Sequence, residues 1–318
     1  MTQYQFVGVD VAKDKFDVAL EMQNKSRQEC FSNDRKGYQS FSKWLVKHTS
    51  HPWVCMEATG HYSELIADYL SSQQIKVSVV NPLQIKSFAR AMLSRNKTDQ
   101  LDAKMIAAFC EKMLPRDFQP RSDSQKELKD LSNLLDMLKA QHVQLTNQLH
   151  SARSDAAKKI LRKLIRALEN EIEKVENSIA EIVKRNEDLN ENMKLITSIK
   201  GIGKLTAYKI LSHVPHMSNF RNAKQFAAFI GISPRQHQSG NYQGKAIISR
   251  MGNSALRKSF YMAAMVAKRF NERLQPFVDR LQKNGKAPKA VICAVMRKLA
   301  HMVFGVMRNK KPFEVNYV

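Results

Sequence analysis

Four cysteines in 318 residues (Cys30, Cys55, Cys110 and Cys293) stand far apart and form no CxxC pair. That excludes a zinc ribbon and a disulfide frame, and reads as buried thiols in a reducing compartment. No apolar run approaches the roughly 18 residues a membrane span needs. The opening MTQYQFVGVD lacks the charged start and long apolar stretch of a signal peptide, so a cytoplasmic chain is expected. Walker, zinc-finger and dinucleotide-binding signatures are missing as well. The most telling scarcity is of acid near the end: residues 193–318 hold three acidic residues, Glu272, Asp279 and Glu314, against 23 Lys+Arg.

That imbalance accounts for most of the net charge of +23. Residues 1–115 carry 15 basic and 12 acidic residues, and residues 116–192 carry 14 of each. A basic excess concentrated in one block implies a polyanionic partner, nucleic acid first. An acidic membrane surface is the rival, but no strongly amphipathic basic helix with an exposed aromatic face is evident.

The first block alternates short β-rich runs with helical ones. Tyr4–Val11, Lys15–Met22 and Glu29–Ser32 read as strands, with a polar turn at Asn24 and Lys25. Gly37–His48 reads as a helix, Trp53–Glu57 as a strand covered on both sides, and Tyr62–Leu70 as a helix with Leu65, Ile66, Tyr69 and Leu70 inward. Ile75–Val80 is a further strand, and Pro82 opens another helix at a position proline tolerates. The order β-β-β-α-β-α-β-α, with acids at set places, is the pattern of a ribonuclease-H-like fold.

Asp10 lies in the first strand and Glu57 at the end of the fourth. Asp99 and Asp102 stand three apart in RNKTDQLDAK, so they share a helix face. Each has a bland reading: a turn cap, a strand end, a solvated turn flanked by Lys97 and Lys104. An ionisable residue inside an apolar strand is costly unless it is paired or metal-bound. Two strand acids plus a helical pair make a specific combination. Hard carboxylate oxygens suit Mg²⁺, which takes a few carboxylates together with substrate phosphates.

The motifs GVDVAKDKFDV, WVCMEATGHY, VNPLQIKSFARA and KTDQLDAKMIA resemble the DEDD recombinases of bacterial insertion sequences, the insertion-sequence-110 family, which includes the Piv-type DNA invertases. The resemblance implies a RuvC-like domain over residues 1–117, in which Asp10, Glu57, Asp99 and Asp102 bind Mg²⁺, two ions per site. Two such ions about 3.5–4 Å apart clamp the attacking and leaving oxygens of a phosphoryl displacement. Gly60 permits a tight turn after the glutamate. His61 is near enough in sequence to approach a phosphate, although a helix-start histidine is more often a cap.

Between residues 118 and 190, Leu128, Leu131, Leu135, Leu138, Leu145 and Leu149 recur at spacings of three, four and seven, and His142 fills the missing place. A second series runs from Leu161 to Ile182 beyond a polar break at 151–155. Such spacing predicts a coiled coil or helical hairpin. It serves either as a self-contained hairpin or as an oligomerisation arm. The family's dimers and tetramers weigh toward the second.

Residues 191–318 are expected to be mainly helical. The run LITSIKGIGKLTAYKIL resembles a helix-hairpin-helix, with Gly201 and Gly203 in the turn and Lys200 and Lys204 beside it, suited to a phosphate contact. Pro234, Gly240 and Gly244 mark residues 233–245 as an exposed polar loop. It holds Ser239, with Arg235, His237, Tyr242, Lys245 and Arg250 close in sequence. Spacing alone makes Ser239 a turn residue. The resemblance makes it the nucleophile that becomes joined to a DNA 5′ phosphate, activated by a base or metal. Further on, Arg257, Lys258, Lys268 and Arg269 are expected to turn outward, with Arg257 and Lys258 as nucleic-acid contacts.

The resulting expectation is an α/β plus α protein: a site-specific DNA recombinase acting on double-stranded donor and target DNA. Family resemblance adds a structured bridge RNA that reads sequence by base pairing. The alternatives are a Piv-type invertase without guide RNA, a metal-dependent Holliday-junction nuclease attacking with water, and a non-catalytic nucleic-acid-binding protein whose acids are structural.

Overall fold

Residues 4–22, 25–93, 99–214, 216–235, 238–239, 242–243 and 247–314 are described in a computed structural model. The chain divides into two compact units, Met1–Pro120 and Arg121–Val318.

In the first unit, strands β1 (Gln5–Val11), β2 (Lys15–Met22) and β3 (Lys25–Ser32) form an antiparallel meander. Helix α1 (Arg35–His48), strand β4 (Pro52–Glu57), helix α2 (His61–Ser72), strand β5 (Lys76–Val80) and helices α3 (Pro82–Ala91) and α4 (Asp99–Met113) follow. The sheet order is β3-β2-β1-β4-β5, with β1, β4 and β5 parallel. This is the element order expected of a ribonuclease-H-like domain. β3 starts earlier than the sequence suggests, because its whole length pairs with β2, from Lys15–Ser32 to Met22–Lys25.

Strand alternation divides the sheet's side chains between two layers. On one face Val7, Val9, Phe16, Val18 and Met56 pack against Phe41, Leu45, Ile66 and Leu70 of α1 and α2. Leu65, expected inward, is 43% exposed, since Ser63, Ile66, Ala67 and Leu70 form the buried stripe of α2. The other face carries Phe6, Trp53, Cys55 and Val80 under Ile106, Phe109 and Cys110 of α4. There α4 lies directly on β1: a Cβ on Gly8 would come within 2.0 Å of the Ala103 carbonyl oxygen and 2.4 Å of the Ala107 nitrogen. Glycine is what allows this approach. The neighbouring Cys55 thiol and burial push the pKa of the buried Cys110 thiol up. Cys293 is half-buried, but Cys30 is exposed, contrary to the reading of all four as buried, because β3 is an edge strand.

The second unit begins with a helical hairpin, α5 (Asp123–Ser151) and α6 (Asp155–Arg185). The pairs Glu127–Arg185, Lys139–Glu176 and His142–Glu169 run in opposite directions along the chain, which fixes the helices as antiparallel. Part of the leucine seam is therefore buried within the chain. Leu134, Met137, Val143, Ile160 and Leu164 remain exposed. The base of the hairpin joins a helical core built on α7 (Glu187–Thr197), α8 (Lys204–His213), α9 (Ala223–Ile230), α10 (Ser254–Phe270), α11 (Gln275–Lys283) and α12 (Pro288–Asn309). Among the described residues, α12 alone has the length and hydropathy of a membrane span, which corrects the reading that no run comes close. Its apolar stripe of Val291, Val295, Leu299 and Val303 lies in the core, while Arg297 and Lys298, off that stripe, break the apolar run along the chain.

A buried polar seam joins α8 to α5. Lys209, 6% exposed, donates to the Ser132 carbonyl at 3.0 Å and to Asp136 at 2.7 Å. Beside it, Asn253 donates to His213 Nδ1 at 3.1 Å, and His213 Nε2 is buried without a hydrogen-bond partner. Burial, then the cations Lys209, Arg121 and Lys129, lower the His213 pKa to about 4. An unfolded histidine titrates near 6.5, so the unfolded chain binds the extra proton between these values. Stability from this residue is complete above about pH 6.5 and falls as pH drops toward 4, by on the order of 2–3 kcal/mol. His213→Gln is expected to flatten the decline in melting temperature between those limits. An unchanged pH slope in that variant would assign the decline to other groups.

Candidate active site

At the carboxyl ends of β1 and β4 the sheet gathers acids on one face. Gly8 faces α4, so Asp10, two residues on, faces the same way. Val9 pairs with Met56, and the next residues along these parallel strands are Asp10 and Glu57. Glu57 is two residues past Cys55, itself on the α4 face, so both carboxylates project from that side at neighbouring strand ends. Both are half-buried. Neighbouring strands lie about 4.8 Å apart, so these are adjacent positions.

Helix α4 brings the other pair. Its sheet-facing positions are Ala103, Ile106, Ala107 and Cys110. Asp102 immediately precedes Ala103 and lies one turn before Ile106, at the start of that stripe, and it is half-buried. Asp99 is the first residue of the helix, one turn before Ala103. A helix's positive N-terminal end favours acids there. Residues 95–98 of the same motif lie outside the described residues.

Sequence reading missed Asp17. It stands directly opposite Asp10 in the β1–β2 ladder and is 8% exposed. Cys30 is its partner on β3, so Cys30, Asp17, Asp10 and Glu57 cross the sheet in one row. Lys15 donates to Asp17 Oδ2 at 3.1 Å. The signal was available in KFDVALEM: the two-residue period puts Asp17 on the face opposite Phe16 and Val18.

The donor set suits a hard divalent cation, since every candidate ligand is a carboxylate oxygen. Thr59, two residues past Glu57, has a buried hydroxyl without a hydrogen-bond partner, which adds an unused oxygen at the same strand end. Gly60 turns the chain there at φ +71° and caps α2, while His61, its first residue, is exposed. Among the described residues no three His, Cys, Asp or Glu side chains close into a cage.

The second unit presents Ser239 on a narrow ribbon. Strand β6 (Pro234–Arg235) pairs with β9 (Ile247–Ile248), and β7 (Gln238–Ser239) with β8 (Tyr242–Gln243), Ser239 opposite Tyr242. The polar loop expected over 233–245 is thus partly a paired hairpin. Its root is closely packed: Arg257 Nη1 donates to the Ile230 and Arg250 carbonyls at 3.1 and 3.2 Å, and Ser249 N–H donates to the Ser233 carbonyl at 2.9 Å. Gly231 (φ +82°) and Gly252 (φ +156°) fit there because a Cβ on either would collide with the Arg257 guanidinium or the Phe229 carbonyl.

Two chain-wide comparisons bear on this arrangement. A family model described as "Transposase" matches residues 7–154, and one described as "Transposase IS116/IS110/IS902 family" matches residues 193–279. The Pilin gene-inverting proteins of Moraxella bovis and Moraxella lacunata are each 32% identical over 315 residues, covering 97% of both chains. The chain belongs to the IS110 family of transposases. A transposase for insertion sequence element IS1111A from Coxiella burnetii is 26% identical over 81% of this chain and 76% of its own length. Family membership makes the protein a DNA transposase or recombinase.

For this enzyme's expected nucleic-acid contacts the structure gives a mixed answer. Arg235, Arg250, Lys204 and Lys258 are exposed, and Gly203 caps α8 without a side-chain cap bond. Gly201 is held at φ +105°, packed on Ala267. Lys200 pairs with Glu272 at 2.6 Å on the surface. Arg257, expected to turn outward, is half-buried with its guanidinium on the carbonyls at the ribbon root, which corrects that reading. His237 and Lys245 lie outside the described residues.

Proposed function

We propose that the chain is a site-specific recombinase of an insertion sequence, cutting and rejoining double-stranded donor and target DNA with the carboxylates Asp10, Glu57, Asp99 and Asp102 and the serine Ser239. The carrying observation is the placement of Asp10 and Glu57 side by side at strand ends, on the face where α4 begins with Asp99 and Asp102. In this reading residues 1–117 are a RuvC-like domain, 118–190 a coiled-coil arm for dimer or tetramer formation, and 191–318 the serine-bearing basic domain of a bacterial cytoplasmic enzyme.

The four carboxylates would hold Mg²⁺, two ions per site, and the ions would neutralise charge growing on the phosphate. Ser239 Oγ bonds to phosphorus as the bond to the 3′ oxygen breaks. The serine proton leaves to a base, and the freed 3′ oxygen takes up a proton as a hydroxyl. The protein then holds the 5′ phosphate as a phosphoserine, which rejoining reverses. The basic residues Lys200, Lys204, Arg235, Lys245, Arg250 and Lys258, with Gly201 and Gly203 at their turn, supply backbone contacts that set register without reading sequence.

Sequence reading is assigned to a structured bridge RNA, as the family resemblance implies, and no helix-turn-helix or zinc-finger motif is recognisable in the sequence. The test is to purify the protein from its native host through a moderate-salt wash and sequence the RNA that remains. One defined RNA mapping beside the gene is the expected result. Heterogeneous fragments, or none, would overturn guidance. The second reading would then take its place, a Piv-type invertase without RNA, favoured by the 32% identity to pilin gene-inverting proteins over nearly the whole chain.

A further inference from the structure

The hairpin between β1 and β2 is built more rigidly than a surface turn requires. Ala12 N–H donates to the Lys15 carbonyl at 2.9 Å and Asn33 N–H to the Asp14 carbonyl at 3.0 Å. The Asn33 side chain donates to the Ala12 carbonyl at 2.8 Å, and Tyr38 donates to Asn33 at 2.7 Å. This clamp fixes Lys15, the first residue of β2. Lys15 has the same strand parity as Asp17, so its stem leaves the sheet on the α4 face, two residues beyond the Asp10–Asp17 pair.

The Lys15–Asp17 pair is also asymmetric. The Asp17 side chain is 11% exposed and that of Lys15 is 50% exposed. A buried carboxylate directly across from another is unfavourable in a sheet. Lys15 offsets it, and the Lys15 side chain itself remains half exposed, two residues along β2 from the acidic row. Stability alone would be served as well by an uncharged pair. A cation held by a buried anion, beside carboxylates at strand ends, is an arrangement that meets a phosphate.

We propose that Lys15 contacts the phosphate backbone of the DNA strand bound at Asp10 and Glu57, and that Asp17 is the residue that positions it. The inference rests on the reading of the acids as the cleavage site. A lysine placed there donates to a non-bridging phosphate oxygen and favours the charge gained in the transition state. Arginine could replace it in part, whereas an isosteric neutral chain could not.

The test uses the full-length protein with Mg²⁺ and a supercoiled plasmid carrying its gene and native flanks, comparing K15M, K15R, D17N, the double variant K15M/D17N and, in parallel, D102N. Cleavage rate, DNA affinity against salt, and melting temperature are read for each. K15M is expected to lower cleavage roughly 10²-fold, with K15R recovering most of it and the salt slope of DNA binding reduced by about one contact. The double variant is decisive. It removes both charges together, so a purely structural pair would regain both stability and cleavage. The expected result is that melting temperature returns while cleavage stays low. Cleavage by K15M or by the double variant within about twofold of the parent, with D102N inactive, overturns the assignment of Lys15 alone. Full cleavage by D102N overturns the acidic site itself, and this inference with it.

Discussion

Asp102→Asn is expected to abolish DNA strand cleavage, by at least about 10³-fold, while DNA binding and its salt dependence stay close to those of the parent. Asn keeps the size and hydrogen-bonding reach of the carboxylate and loses its charge, so the change falls on cation binding. Asp102 begins the sheet-facing stripe of α4 and is half-buried there. Asp10→Asn and Glu57→Gln should behave alike, because the two positions are neighbours at the ends of β1 and β4. DNA affinity has a separate origin in the C-terminal block, where three acids oppose 23 basic residues. Melting temperature tells function from structure. Asp10 lies opposite Asp17 in the ladder, and neutralising one of two facing carboxylates removes a repulsion. The expected pattern for Asp10→Asn is therefore lost cleavage with stability held. Retained cleavage would sink the assignment. Lost cleavage with a large fall in stability would make the acids structural.

How far these conclusions were legible depends on whether a feature is local. The strand acids stood out because Asp10 and Glu57 interrupt runs that otherwise read as buried strands, and the i,i+3 spacing of Asp99 and Asp102 survives in any helix. The element order was readable for the same reason, since each strand and helix carries its own period. Pairing partners were not readable. Asp17 looks like an ordinary polar position until the register sets it against Asp10, and register depends on chain that is distant in sequence. Lys200 read as a phosphate contact beside its turn, and Arg257 as an outward-facing cation. Only tertiary packing brings Glu272 to one and the carbonyls of Ile230 and Arg250 to the other. The hairpin shows the limit in another form. A three-four leucine pattern specifies a seam without specifying which chain fills it. Here Val175, Ile179 and Ile182 of α6 fill part of it from within, against Leu128 and Leu135 of α5.

Ser239→Ala is expected to eliminate any covalent protein–DNA adduct, a loss of at least about 10³-fold in trapped species after denaturation. The variant should fold normally. Ser239 sits in a two-residue strand whose ladder with Tyr242 is made by the backbone, and the ribbon root is held by Arg257, Gly231 and Gly252. Removing one hydroxyl leaves all of that in place. The experiment also separates the rival chemistries. A Holliday-type nuclease attacks with water, so it would cut DNA in both parent and variant with no adduct in either. A serine recombination step gives an adduct in the parent and neither adduct nor joined product in Ser239→Ala. An adduct that survives the substitution would move the nucleophile to Tyr242, its ladder partner, or to Ser233 or Ser249, which pair across the ribbon root. The Asp102→Asn variant completes the logic. If the acids and the serine serve one reaction, each substitution alone should remove the adduct. The double variant should then lose no more than either single change, because a nucleophile and the group that activates it fail together.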